Sequence, residues 1–425
     1  MKNKFIVGKT YIPVSGKVFD KEEINNAIKV AKDGWWTEGE FSLKFEEEFK
    51  KFLGMKYVSL VNSGSSANLL ALAALTSDIF GEKRLKPGDE FITTPVSFPT
   101  TINPGIQYGL KPVVIDAEID TLNIDVSKIE KAITKKTRLI MIAHTLGKPF
   151  DLTKIMKLVK KYDLWLIEDC CDALGSKYND KLLGTFGHIA TFSFYPAHHI
   201  TMGEGGAIAT NNLLINKSVR RFRDWGRDCW CGTGKDDTCG KRFKWKLGEL
   251  PYGYDHKYIY SEVGYNLKLT DFQAAIGLAQ LKKLPKFIKK RKENYKTLYT
   301  FLKKYEKYFI LMKEDKKVDL SPFGFPLVVK ETAPFSRNEL TQYLEENKIG
   351  TRNVFAGNLL HHPAYIKIRN NFRIIGRMDN SDLIMNNAFW LGVWPGIDKQ
   401  RMDYIKMILK RFIKSFDKSS SENKK

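Results

Sequence analysis

Apolar residues recur along this chain at two spacings, and the two alternate. Residues 20–34 and 40–53 place them three and four apart, which predicts two amphipathic helices, the second ending at Gly54. Tyr57 to Val61 is a short β-rich run. It meets a small polar turn, Asn62-Ser63-Gly64-Ser65-Ser66, and then an apolar helix. Apolar runs at 90–95 (EFITTP), 111–117 (KPVVIDA), 138–144 (RLIMIAH), 164–169 (LWLIED) and 189–195 (IATFSFY) predict further strands, with helical stretches between most of them. That alternation predicts an α/β domain with a mostly parallel sheet over about residues 40–265. A helix over 270–284 leads into a Lys-rich helical segment, and residues 320–415 mix short strands and helices as a smaller α+β domain does. The polar tail 417–425 (DKSSSENKK) is expected to fray, and no internal repeat is visible.

Composition narrows the class. The 425 residues are 43% hydrophobic and 28% charged, which excludes a mostly disordered chain. No apolar run approaches the ~18 residues of a membrane span, and MKNKFIVGKTYIPVSG has too short an apolar core for a signal peptide. A cytoplasmic protein with no membrane partner is expected. Seventy basic residues against 48 acidic give a net charge of +22. From Leu281 to Lys313 there are 12 basic residues and two acidic ones, interleaved with apolar positions at helical spacing. This reads as a solvated Lys-rich helix face. No nucleic-acid motif accompanies it, so nucleic acid is not an expected partner, although the charge would steer an anionic substrate.

Three segments carry chemistry. The turn Ser63-Gly64-Ser65-Ser66 opens a helix directly after a strand, and free N–H groups with the helix dipole make such a start a phosphate site. LWLIEDCCDALGS (164–176) ends a hydrophobic strand in acids, so Asp169 lies where α/β enzymes hold ligands. A carboxylate there can pair with a protonated ring nitrogen, as pyridoxal enzymes require. The third is SFYPAHHITMGEGGAI (193–208).

With these residues in view, the chain resembles the DegT/DnrJ/EryC1/StrS sugar aminotransferases, pyridoxal-phosphate enzymes that act on nucleotide-linked keto sugars. That family's pattern runs Ser-Phe-His, two residues, Lys, then Gly-Glu-Gly-Gly. Here Ser193-Phe194 and Gly203-Glu204-Gly205-Gly206 keep register. Residues 45–54, 95–125, 143–152 and 264–281 are also family-like, and the resemblance spans roughly residues 20–415. It implies the fold type I transferase architecture, with a mostly parallel central sheet and a smaller C-terminal α+β domain. The expected division has an N-terminal segment 1–39 on the small domain and a large cofactor-binding domain 40–280 that includes a loop 226–245. A linking helix with the small domain (281–415) and a disordered tail (416–425) complete it.

The departure from the pattern decides the expected reaction. His198 occupies the lysine position. A lysine holds the cofactor covalently; a histidine cannot, but it moves protons near neutral pH. The resemblance therefore points to the family's 3-dehydratase branch, with pyridoxamine 5'-phosphate bound non-covalently and the C3 hydroxyl of the sugar expelled. The adjacent His199 is out of register.

Five cysteines sit at 170, 171, 229, 231 and 239, with 57, one and seven residues between the last four. Three lie in a Gly-rich loop suited to wrapping a metal. Four thiolates bind zinc or an iron–sulfur cluster, and spacing alone does not choose. Cys171 is two residues from Asp169, within ~7 Å along the chain. The resemblance to the iron–sulfur 3-dehydratases of 3,6-dideoxysugar synthesis implies a 2Fe–2S cluster on Cys171, Cys229, Cys231 and Cys239, leaving Cys170 a packed thiol.

The resemblance carries further positions. Phe98 matches the aromatic stacked on the pyridine ring, and Gly64, Ser65, Ser66 and Ser193 match phosphate contacts. Asn266 matches the asparagine that reaches the neighbouring subunit's phosphate, which implies a homodimer. Asp172 and Tyr195 stand where aminotransferases carry Gln and His, and are expected to shape the C3 chemistry. Arg352 and Asn358 are candidate substrate contacts, with a surface ion pair and a loop cap as their alternatives. The implied substrate is a nucleotide-linked 4-keto-6-deoxyhexose, CDP-4-keto-6-deoxy-D-glucose foremost. The implied electron donor is an NAD(P)H-dependent iron–sulfur flavin reductase, and the product would feed O-antigen synthesis. The competing readings are a cluster-free dehydratase or aminotransferase with a structural zinc, and a non-catalytic cofactor-binding regulator.

Overall fold

The structure, a computed structural model, describes residues 5–422, and of residues 418–422 only the helical backbone. From the N-terminus come α1 (Lys21–Asp33), α2 (Glu40–Leu53), β1 (Tyr57–Val61), α3 (Gly64–Ala74), β2 (Glu90–Thr93), α4 (Pro99–Gln107) and β3 (Lys111–Ile115). Next are the one-turn α5 (Ile129–Ala132), β4 (Thr137–Ala143), α6 (Leu152–Lys161) and β5 (Trp165–Asp169). A small hairpin of β6 (Lys177–Tyr178) and β7 (Lys181–Leu182) then precedes β8 (Ile189–Ser193), β9 (Gly206–Thr210) and α7 (Leu213–Arg223). After a long loop, α8 (Asp271–Leu302) crosses to β10 (Phe309–Ile310), β11 (Val318–Asp319), β12 (Gly324–Val329), α9 (Arg337–Glu346) and β13 (Thr351–Asn353). The chain ends with α10 (Pro363–Ile366), β14 (Arg373–Ile375), α11 (Asp379–Asn387), β15 (Ala388–Gly392) and α12 (Lys399–Glu422).

The large sheet runs β1-β9-β8-β5-β4-β2-β3-β14, and of these eight strands β9 alone is antiparallel to the rest. Its central strands read as continuous apolar runs because both faces are covered. One face packs Leu60, Ile140 and Leu166 against Phe45 and Phe49 of α2, Ile155 of α6, and Leu281 and Leu284 of α8. The other packs Val61, Val114, Met141 and Ile167 against Leu70 and Ala71 of α3, Ile102 of α4 and Val219 of α7. A second, antiparallel sheet, β10-β12-β15-β13, buries Phe325, Leu327, Phe389 and Leu391 against Leu340 of α9, Leu409 of α12 and Leu298 of α8. This is the fold type I architecture: a mostly parallel sheet sandwiched by helices, with a smaller α+β domain behind it. Among the described residues no helix is long and apolar enough to cross a membrane.

The expected division of the chain needs three corrections. First, the N-terminal segment does not pack on the small domain as a whole. Ile12 pairs with Ile349, Tyr11 donates to Glu345 (2.8 Å) and Trp394 donates to Pro13 O (2.8 Å). Helix α1 lies instead on the first half of α8, where Glu22 and Glu23 in its first turn meet Lys282 and Lys283, both at 2.7 Å. Second, a boundary at 281 cuts through α8, which continues past Pro285 as one 32-residue helix. Beyond it the chain returns to the large domain: β14 pairs in parallel with β3, and Leu359, Tyr365 and Phe372 are buried with α3 and α4. Third, the tail is not disordered from 416. Helix α12 runs to Glu422, and Phe416 packs on Phe412 (5.1 Å) and Phe335 (5.3 Å). Residues 423–425 lie outside the described residues.

Candidate active site

The carboxyl ends of the parallel strands converge on one cleft. Asp169, the last residue of β5, is buried there. Its Oδ2 accepts from Asn68 Nδ2 and Thr101 Oγ1, both at 2.8 Å, and its Oδ1 accepts from Cys171 N–H (3.1 Å). Asn68 is itself oriented by Thr191 Oγ1, which donates to its Oδ1 (2.6 Å). Helices α3 and α4 and strand β8 therefore all contribute to aiming one carboxylate. Phe98 caps α4 three residues before Thr101 and is 52% exposed.

The start of α3, the candidate anion site, is built by close approach. Ser63 caps α3, its Oγ accepting from Ser66 N–H (3.0 Å). The N–H groups of Gly64 and Ser65 precede the first intrahelical bond, Ala67 N–H to Ser63 O. A Cβ at Gly64 would stand 2.4 Å from Ser193 Cβ, and one at Gly206 would stand 2.3 Å from Ser63 O. Only glycines let the end of β8 close on the start of α3, which brings Ser193 to the same cup as Ser65 and Ser66.

His198 lies on the turn between β8 and β9. Its N–H donates to Tyr195 O (2.9 Å), and its carbonyl accepts from Arg291 Nη2 (3.0 Å). Arg291 Nη1 donates to Pro322 O (3.3 Å) and Phe323 O (3.0 Å), which ties the turn to the small domain. His198 Nδ1 is 3.4 Å from Asp172 Oδ1. Burial pushes the Asp172 carboxyl above the usual carboxylate range, opposed by the imidazole beside it. Tyr195 is half exposed, its ring edge-on to His198 at 6.5 Å. His199 is different. It is buried, its Nε2–H donates to Ser321 O (3.0 Å), and burial, then the charge of Arg291, holds it well below the ordinary histidine value. His199 is thus a neutral packing residue, and His198 faces the cleft beside Asp172.

The remaining candidates are scattered. Cys229, Cys231 and Cys239 line one small cavity, and Cys171 does not border it. Cys170 is fully buried against Glu168, Asp169 and the strand behind them. Asn266 is exposed at the end of the long loop, bridged through its backbone to Asp224. Arg352 is exposed on β13 and donates to its neighbour's carbonyl, Thr351 O (2.8 Å). Asn358 is spent internally: its Oδ1 accepts from Leu360 N–H (3.0 Å) and its Nδ2 donates to Asp382 (2.7 Å), which makes it a loop cap.

Sequence reasoning passed over Asn68, Thr101 and Arg291. Asn68 had a signal, a lone amide on the buried face of an apolar helix. Arg291 had a weaker one, the single arginine among the lysines of residues 281–313.

A helix start closed by glycines, a clamped carboxylate, an exposed aromatic and an imidazole on the facing turn form the donor set that a phosphorylated pyridine would need. Comparison with known proteins agrees with that fit. A lipopolysaccharide biosynthesis protein, RfbH of Salmonella typhimurium, is 51% identical over 401 residues, 94% of this chain and 91% of its own. The dTDP-4-dehydro-2,6-dideoxy-D-glucose 3-dehydratase of Saccharopolyspora spinosa is 47% identical over 409 residues, 96% of this chain and 88% of its own. Among solved structures, the E. coli GDP-4-keto-6-deoxy-D-mannose-3-dehydratase with bound hydrated PLP superposes with a TM-score of 0.82 at 30% identity, covering 94% of this chain and all of that one. Residues 17–410 match a single family across both domains, and on that match the chain belongs to the DegT/DnrJ/EryC1/StrS aminotransferase family.

Proposed function

We propose that this chain is a pyridoxamine-phosphate- and 2Fe–2S-dependent 3-dehydratase of a nucleotide-linked 4-keto-6-deoxyhexose, working as a homodimer with an NAD(P)H-dependent iron–sulfur flavin reductase. CDP-4-keto-6-deoxy-D-glucose is the foremost substrate, and 3,6-dideoxysugar synthesis the setting. The observation that carries this reading is His198 on the cleft turn where the family places lysine, with its Nδ1 toward Asp172. Two relatives named as 3-dehydratases act on dTDP- and GDP-linked sugars, so their names support the reaction and leave the nucleotide to experiment.

Bound pyridoxamine phosphate supplies a primary amine for the sugar ketone and a ring that accepts an electron pair. The protein's part is set by position. The start of α3 and Ser193 bind the phosphate, and Phe98 flanks the ring. Asp169 holds a proton on the ring nitrogen. Asp172 Oδ1 stands 3.4 Å from His198 Nδ1 and would draw that nitrogen's proton, leaving Nε2 to move the C4′ proton. Tyr195, half exposed and edge-on to that imidazole, would contribute to the C3 chemistry. Cys171, Cys229, Cys231 and Cys239 would hold a cluster that delivers single electrons, which nicotinamide alone does not.

The test is anaerobic incubation with CDP-, dTDP- and GDP-linked 4-keto-6-deoxyhexoses plus the reductase, read by mass spectrometry. The expected product is the CDP sugar short of one oxygen. A product that gains nitrogen instead would make the chain an aminotransferase, and no product from any of the three sugars would leave it a binding protein.

A further inference from the structure

Behind the His198 turn lies a small cavity whose polar lining the proposed reaction does not use. His198, His199 and Thr201 of the turn form one wall, Gln280 and Arg291 of α8 a second, and the N-terminal segment at Gly16 a third. Gln280 is fully employed. Its Oε1 accepts from Thr201 N–H (3.3 Å), and its Nε2 donates to Val18 O (2.8 Å) and Glu23 (2.5 Å). Thr201 Oγ1 accepts from Gly203 N–H (3.0 Å). Among the described residues, three buried side-chain atoms on this lining lack a hydrogen-bond partner: His198 Nδ1, His199 Nδ1 and Arg291 Nε. His198 Nδ1 faces Asp172 at 3.4 Å. The other two belong to residues only 2% and 1% exposed, so bulk water does not reach them.

Those two atoms are chemically complementary. Arg291 Nε carries a hydrogen and can only donate. His199 Nε2 faces a carbonyl, Ser321 O (3.0 Å), so the ring proton sits on Nε2 and Nδ1 presents a lone pair. Burial, then the charge of Arg291, keeps that ring neutral. The cavity offers about 10 Å³, room for one water and no larger group. A water accepts from a guanidinium N–H and donates to an imidazole lone pair. A halide would suit Arg291 but meet the lone pair, and a metal cation would suit the lone pair but meet the guanidinium. The same side chains also hold the turn. Arg291 Nη2 donates to His198 O (3.0 Å) and Nη1 to Phe323 O (3.0 Å). The Phe323 ring in turn lies 5.1 Å from the His198 ring and 6.3 Å from the His199 ring.

We propose that this cavity is the site of one ordered water, accepting from Arg291 Nε–H and donating to His199 Nδ1, and that His199 is thereby a positioning residue for His198. One guanidinium then grips two successive residues of the turn, the first through a carbonyl and the second through the water. The backbone that carries the His198 imidazole is held against rocking away from Asp172. The water site is independent of the proposed function; its consequence for proton transfer rests on that reading.

Full-length wild type, H199Q and H199F are crystallised with pyridoxamine phosphate at a resolution that shows ordered water, and wild-type crystals are also soaked in bromide. Wild type should show one water within about 3.2 Å of both Arg291 Nε and His199 Nδ1. No water, a water touching only one of them, or a direct contact between the two side chains overturns the site. A bromide anomalous peak in the cavity makes it a halide site and overturns it too. Glutamine keeps an N–H for Ser321 O but loses the ring lone pair, and phenylalanine loses both, so the water should leave in each variant. A water retained in both removes His199 as its partner. Exchange of the C4′ proton, followed by NMR, should slow about tenfold in H199Q while cofactor affinity and unfolding temperature hold. A lower unfolding temperature with exchange at the wild-type rate would make His199 structural only and overturn the positioning role. Wild type that holds the water yet exchanges no C4′ proton supports the site and defeats the proposed function instead.

Discussion

Asp169→Asn changes one charge at constant shape, and its two effects separate cleanly. The carboxylate faces three donors, Asn68 Nδ2 and Thr101 Oγ1 on one oxygen and Cys171 N–H on the other. An asparagine offers one acceptor and one N–H2. Turning its oxygen to Asn68 and Thr101 keeps two bonds and sets donor against donor at Cys171, a cost of about 1–3 kcal/mol. That cost falls on the protein with or without cofactor, so it lowers the unfolding temperature of the cofactor-free enzyme. The lost charge opposite a protonated ring nitrogen is felt only on binding. A hydrogen bond to a charged group is worth about 1.5–3 kcal/mol, so pyridoxamine phosphate should bind roughly 10- to 150-fold more weakly. Fluorescence titration of the cofactor-free protein, with thermal unfolding alongside, measures both. Affinity within about threefold of wild type in a folded Asp169→Asn protein would place the ring nitrogen elsewhere and refute the assignment.

Gly64→Ala forces a methyl to within 2.4 Å of Ser193 Cβ, an overpacking cost of about 1–3 kcal/mol. It should weaken pyridoxamine phosphate more than phosphate-free pyridoxamine; equal losses would move the phosphate from this cup. His198→Asn should slow solvent exchange of the C4′ proton at least about 100-fold while cofactor affinity holds, and unchanged exchange by NMR would remove His198 as the proton carrier. Arg291→Lys cannot reach three carbonyls at once, so kcat should fall with cofactor affinity kept and stability lowered by about 1–3 kcal/mol, measured by denaturant titration. Burial, then the charge of Lys83, depresses His188 from 6.5 to about 4. Its folded value lies below its unfolded one, so its stabilisation of about 3 kcal/mol is full above pH ~6.5 and lost as pH falls through ~4. His188→Gln should flatten stability against pH across that window, and a mutant curve as steep as wild type would assign the slope to other groups.

Much of this fold is legible in the chain because its strands are buried on both faces, so they appear as unbroken apolar runs. The last residues of β5 and β8 and the turn after β1 then mark the cleft by topology alone. Two strands of the large sheet escaped for physical reasons. The segment of β9, GAIAT, is poor in large apolar residues because Gly206 must lie against Ser63. The three-residue β14 draws its strength from Phe372 and Leu359 sinking into the distant core, not from local pattern. At the cleft, Asp169 and His198 stand out in the sequence, one at the end of an apolar run and one in a lysine's place in the family-like pattern. Asn68, Thr101 and Arg291 act by aiming other groups, and nothing in their immediate sequence records what they aim. The net charge says least. Lysines along α8 are taken up by local acids, Lys282 by Glu22, Lys283 by Glu23 and Lys292 by Asp319, as a solvated face requires.

The antiparallel β9 explains why residue 198 can reach the cleft at all. In an all-parallel sheet the chain leaving β8 would be carried away by a crossover helix, as it is after β1, β2 and β4. Here β9 pairs with β8 from Ser193↔Gly206 downward, so the intervening turn begins and ends at the carboxyl edge of the sheet. Its residues are confined to the region above Asp169 without a helix to absorb them. The same strand pairs with β1 at Val61↔Gly206, which sets the start of β9 beside the start of α3. The turn that carries His198 and the start of α3 are therefore fastened at one residue, Gly206, where no side chain fits. A shift of the β8–β9 turn cannot leave the start of α3 undisturbed, because their separation is fixed by backbone pairing rather than by flexible side chains. On that scaffold the backbone holding residue 198 is set by strand pairing, so a lysine there can give way to a histidine without a change of fold, which on the reading proposed for this chain separates C3 dehydration from amine transfer.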